Sequence, residues 1–267
     1  MHKLFLTLVA LLSIHVNATN FSNLEVPQSR FMTEMPKITI ALPASYNTNK
    51  NKRYPVLYLL DSDLNGELVY GMLDRLHASK GANEHIIVGV SSTDRLRDFA
   101  PTVNHDPRGP VGAGGGADKL LDFMQKELMT TINKLYRTNH HNVIAGHSIA
   151  GLFVVHTFHA RPKLFQAHMA FSPAVWWAAR ETAKATKQYV LSDDDVGTFL
   201  YMNIGSEGGE MRQVYDDLSQ TILRNRSTDL TLQLETFDEE DHDFTMVAGL
   251  HHALKALHGY QQSTQKL

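Results

Sequence analysis

The residues Gly146-His147-Ser148-Ile149-Ala150-Gly151 put a serine at the bend between one apolar run, His141 to Gly146, and a second that begins at Ile149. A serine hydroxyl becomes a nucleophile when a base takes its proton and fixed donors meet the oxyanion that forms on the substrate. A sharp strand-to-helix turn of the G-x-S-x-G kind supplies part of this, lifting the side chain out and aiming the next backbone N–H at the oxyanion. Here the fifth position is Ala150, small but less accommodating than glycine. Ser148 is a candidate nucleophile and the Ile149 amide a candidate oxyanion donor. The alternative is a serine that only caps the following helix.

A base and an acid should follow in the chain order serine, acid, histidine. Among fifteen histidines, His242 stands apart. It lies in the loop Asp238 to Phe244, between the β-rich run Leu230 to Phe237 and the final helical pattern, where a loop at the carboxyl end of a strand can swing an imidazole over the serine. His156, His159, His251, His252 and His258 fall on helical stretches and read as surface or satisfied core residues. The acid is expected after the run Gly197 to Gly205, in Ser206-Glu207-Gly208-Gly209-Glu210. Glu207 is the candidate; Glu210 in the first turn of the next helix, or a Ser–His dyad without an acid, are the alternatives. A second oxyanion amide is expected at Asp63 in Asp61-Ser62-Asp63-Leu64-Asn65-Gly66, a turn that also reads as an ordinary Asx turn. The sequence offers no metal pattern: hard-cation loops need more oxygens at fixed spacing, and no H-E-x-x-H occurs.

These residues need a frame that brings them to one edge. Short apolar runs at 37–43, 54–61, 84–90, 141–146, 166–172, 197–205 and 230–237 alternate with helical patterns at 66–79, 117–136, 149–162, 211–225 and 244–260. That alternation predicts a mainly parallel sheet with helices on both faces. In the 117–136 helix the spacing puts Leu120, Leu121, Met124, Leu128, Ile132 and Leu135 on one buried face. The polar, glycine-rich stretch 91–116 is the one long connection, and residues 178–197 are expected to form a helix plus an excursion over the sheet.

With 267 residues and 43% hydrophobic content, the chain suits one large domain, here 19–267. A net charge of -3 without a block of either sign excludes the basic footprint of a nucleic-acid binder. There is no cysteine, hence no disulfide and no thiolate nucleophile or ligand. Lys3, the apolar stretch Leu4 to Val16 and the end Asn17-Ala18 have the layout of a secretory signal over 1–18, short for a membrane span, so the mature protein is expected in the periplasm or outside the cell.

The stretches YPVLYLLDSD, GHSIAGLF, HARPKLFQAHMAFSPAVWW, NIGSEGGEM and DHDF resemble the esterase D-like family of α/β-hydrolases, especially the bacterial branch with the periplasmic siderophore trilactone esterases. The resemblance spans about residues 36–258. It implies an α/β-hydrolase fold and a serine esterase without metal or organic cofactor, with Ser148 as nucleophile and His242 as base. The partner it implies is a small-molecule ester. Trp176 and Trp177 lie where relatives have the mouth of the site, so they are expected either to wall the substrate or to fill the space under a cap. Acyl transfer to an alcohol, or a secreted binding protein that has lost turnover, are the rival readings.

Overall fold

Apolar runs buried on both faces can pair in the middle of a sheet, and they do so here. In the computed structural model, which describes residues 20–107, 109–192 and 197–264, the strands are β1 (Ser22–Asn23), β2 (Lys37–Ala41), β3 (Tyr54–Leu60), β4 (Ile86–Ser91), β5 (Thr138–His147), β6 (Ala167–Phe171), β7 (Phe199–Ile204) and β8 (Thr231–Thr236). Among the described residues they form one eight-stranded sheet in the order β1-β2-β4-β3-β5-β6-β7-β8. The pairs β1–β2 and β2–β4 are antiparallel and the remainder parallel. Every residue of β3, β4, β6 and β7 is buried, as a sheet covered on both faces requires. The expected secretory signal lies outside the described residues.

The helices are α1 (Ser62–Ala78), α2 (Arg95–Phe99), α3 (Ala117–Phe123), α4 (Met129–Leu135), α5 (Ile149–Ala160), α6 (Trp177–Ser192), α7 (Gly209–Asn225) and α8 (Thr245–Thr264). Val69, Leu73 and Leu76 of α1 join Leu250, Leu254 and Leu257 of α8 in a core on one face of the sheet. The larger core on the other face takes Leu120 and Leu121 of α3, Phe153 and Phe158 of α5, Ala183 and Val190 of α6, and Leu218 and Ile222 of α7.

Three local features depart from the sequence reading. The first helix starts at Ser62, not at Gly66, because Asp61 adopts a left-handed conformation (φ 53°) and turns the chain straight into the helix. Arg95 clamps that turn, donating to both carboxylate oxygens of Asp61 at 2.9 and 2.7 Å. Leu135, expected in the core, is 55% exposed. A π turn at Met124–Leu128 adds a residue between α3 and α4 and rotates the buried stripe onto Met129, Ile132 and Tyr136. Finally, Ala178, Ala179 and Arg180 all have positive φ, so regular helix in α6 begins only after them.

In a parallel sheet every strand ends at the same edge. Asp61 follows β3, Ser148 follows β5, Ser172 follows β6, Glu207 follows β7 and His242 follows β8, so residues far apart in the chain emerge side by side.

Candidate active site

At the end of β5 the backbone of Ser148 takes φ 59° and ψ -117°, outside the ordinary regions for an L residue. Such a conformation costs about 1–3 kcal/mol and persists only where the surroundings fix it. They do: the Ser148 N–H donates to the Phe171 carbonyl at 2.9 Å, and its carbonyl accepts from Leu152 and Ala174. A Cβ built on Gly146 would sit 2.6 Å from the Ala150 carbonyl oxygen and 2.9 Å from the Ala150 Cβ. Alanine at the fifth position of the motif thus fits because the first is glycine.

The Ser148 hydroxyl donates to His242 Nε2 at 2.8 Å, and His242 Nδ1–H donates to Glu207 Oε1 at 2.7 Å. Glu207 is therefore the carboxylate that meets the imidazole, while Glu210 is paired with Arg180 at 2.7 Å. Burial alone would push the Glu207 carboxyl up. The donors around it, the Ser172 hydroxyl, His242 and the backbone amides of Glu207 and Gly205, outweigh that and hold it below the usual carboxylate value.

These supports were not singled out from the sequence. Ser172 donates to Glu207 Oε1, and the Gly205 N–H donates to Oε2 at 2.6 Å. Asn203, fully buried in β7, accepts from the Ser172 N–H at 3.0 Å and donates to the Thr245 carbonyl at 2.8 Å, tying the ends of β6 and β7 to the start of α8. A signal existed: Asn203 is a polar residue near the end of an otherwise apolar run, and Ser172 occupies the strand end beside the elbow.

The Ile149 amide opens α5, where the first N–H groups have no partner within the helix. The Asp63 amide lies in the first turn of α1 and donates to Ser91 Oγ at 3.2 Å. Trp177 is buried, its indole N–H donating to the Thr102 carbonyl at 2.9 Å, so it fastens the long connection to the core. Trp176 is partly exposed, near Gly109 of that connection. Arg97 and Asp98 pair with each other, and Arg97 also reaches Glu34. His156 and His159 are taken up by Asp118 and Thr186. Among the described residues no group of three or more acidic or histidine side chains is arranged to hold a metal ion, and no helix is long and apolar enough to cross a membrane.

Comparison with known proteins adds the family. Residues 29–261 match the profile of the family described as "Putative esterase". The chain belongs to that family. Over 158 residues it is 31% identical to the ferri-bacillibactin esterase BesA of Bacillus subtilis, covering 51% of this chain and 53% of that protein. Over 111 residues it is 31% identical to the siderophore enterobactin esterase of Emericella nidulans, covering 38% and 37%. The matches thus span about half the length of these relatives or less. Among solved structures, the IroE-like serine hydrolase of Shewanella oneidensis superposes with a TM-score of 0.82 at 27% identity, over 90% of this chain and 79% of that one. The fold is that of the α/β-hydrolases.

Proposed function

We propose that this esterase-family chain hydrolyses carboxylic esters through an acyl-enzyme. The observation that carries the proposal is His242 standing between Ser148 Oγ at 2.8 Å and Glu207 at 2.7 Å. In this reading Ser148 attacks the ester carbonyl while His242 Nε2 takes its proton, and Glu207 holds the Nδ1–H tautomer and stabilises the cation. The Ile149 and Asp63 amides receive the oxyanion; for Asp63 the substrate oxygen competes with Ser91 Oγ for the same proton. His242 then returns the proton to the leaving alcohol, and water repeats the sequence to free the acid. The partly exposed Trp176 is the wall available to an acyl or aryl group, with the buried Trp177 beside it as its support.

The narrower reading, a siderophore trilactone as the ester, is favoured by the names of the Bacillus and Emericella relatives. Work on such a substrate would suit a protein exported to the periplasm or beyond, as the first 18 residues suggest.

A panel of esters that includes p-nitrophenyl butyrate and iron-free and ferric trilactones tests both levels. Ser148→Ala and His242→Ala are each expected to lower turnover by about 10³-fold or more, and a fluorophosphonate is expected to label the parent but not Ser148→Ala. Parental rates in Ser148→Ala would sink the proposal. Acyl transfer would show as ester exchange when alcohols are added.

A further inference from the structure

We infer that His147, the residue before the serine, is a positioning residue that locks the main chain of the catalytic histidine to the elbow. The inference rests on the Ser148–His242 reading above and adds a part to it. His147 Nε2 lies 2.7 Å from the backbone carbonyl oxygen of His242. A carbonyl only accepts, so Nε2 carries the hydrogen. The same carbonyl accepts from Thr245 Oγ1 at 3.0 Å, so the loop is gripped from the elbow on one side and from α8 on the other.

The geometry goes beyond simple packing. His147 and Ser148 are consecutive, so this hydrogen bond ties the backbone of the base to the backbone of the nucleophile across 95 residues of chain. Displacement of a catalytic group by about 1 Å can cost about 10²-fold in rate. The two imidazoles also lie against each other, tilted by 42° with ring centroids 4.7 Å apart. Burial, reinforced by His242, holds His147 below the ordinary histidine value. The other charged groups acting on it are Arg95, itself held by Asp61, and Asp243. A neutral His147 gives the imidazolium that forms on His242 a dipole beside it in place of a second cation.

The test compares His147→Phe, which keeps a ring and removes the donor, with His147→Gln, which returns an N–H at similar reach, using p-nitrophenyl butyrate and the full chain. Ser148→Ala is run alongside. His147→Phe is expected to lower kcat about 10- to 100-fold with KM changed by less than about twofold, and His147→Gln to recover most of that loss. Thr245→Val removes the other donor to the same carbonyl and is expected to lower kcat severalfold at unchanged KM, which keeps the test alive if the phenylalanine variant does not fold. A His147→Phe enzyme with parental kcat, or a glutamine variant no better than phenylalanine, overturns the inference while an inactive Ser148→Ala leaves the serine mechanism standing. An active Ser148→Ala overturns both.

Discussion

The Ser172 hydroxyl and the His242 imidazole donate to the same oxygen, Oε1 of Glu207. One carboxylate oxygen thus joins the ends of β6, β7 and β8, and the other is fixed by the Gly205 amide. The carboxylate is held at both oxygens, and it orients the imidazole through Nδ1.

Removing the hydroxyl in Ser172→Ala takes away a donor that favours the ionised carboxylate, so the Glu207 value moves up toward the ordinary range. The expected outcome is a loss in kcat of about 10-fold or more and an acid-side fall in activity that begins at higher pH than in the parent. A pH profile of kcat/KM checks both; an unmoved acid limb would count against the coupling.

Glu207→Gln keeps the size of the side chain but removes its charge. The imidazole cation that forms during attack then has no counter-charge, and the amide can present its N–H where an acceptor is needed. Turnover of p-nitrophenyl butyrate is expected to fall by about 10²- to 10⁴-fold with little change in melting temperature.

Gly146→Ala brings a Cβ to 2.6 Å from the Ala150 carbonyl oxygen, a contact that backbone cannot relieve cheaply. Strain of about 1–3 kcal/mol is expected, read as a lower melting temperature together with slower fluorophosphonate labelling. Ala150→Gly relieves the opposing side, and the double variant should regain part of the stability.

His168 lies in β6, fully buried between the rings of Phe158 and Phe165. Its ring nitrogens lack a well-formed hydrogen bond, and burial holds its pKa down at about 3. The unfolded chain titrates near 6.5, so between about pH 6.5 and pH 3 the unfolded state binds the extra proton and stability is lost as the pH is lowered. His168→Leu is expected to stabilise the fold by about 1 kcal/mol at pH 7, with a gain that widens as pH drops through that window. Urea titrations at pH 7 and pH 4.5 measure the difference.

How far the site could be read from sequence depends on the range of the interactions involved. Ser148 was legible because its signal is local: an apolar run, a glycine, a serine and a resumed apolar helix lie within a dozen residues, and the physics of a tight bend dictates those types. His242 was legible because a histidine in a loop between the last strand pattern and the last helix pattern must emerge at the sheet edge. The alternation of short apolar runs with helical stretches likewise determined a mainly parallel sheet, since β-period and helix-period patterns have different buried faces.

The tertiary structure decided the rest. Glu207 and Glu210 are three residues apart and chemically alike; sheet register and the Ser172 hydroxyl bring one to His242, while Arg180 takes the other. Trp176 and Trp177 are neighbours in sequence, yet one is partly exposed and the other is buried with its indole N–H on the Thr102 carbonyl, just before three left-handed residues that no periodicity announces. His147 and Asn203 act through partners dozens of residues away. Such contacts follow from which strands lie side by side, and that order is fixed by burial of the whole sheet, not by any local stretch of chain.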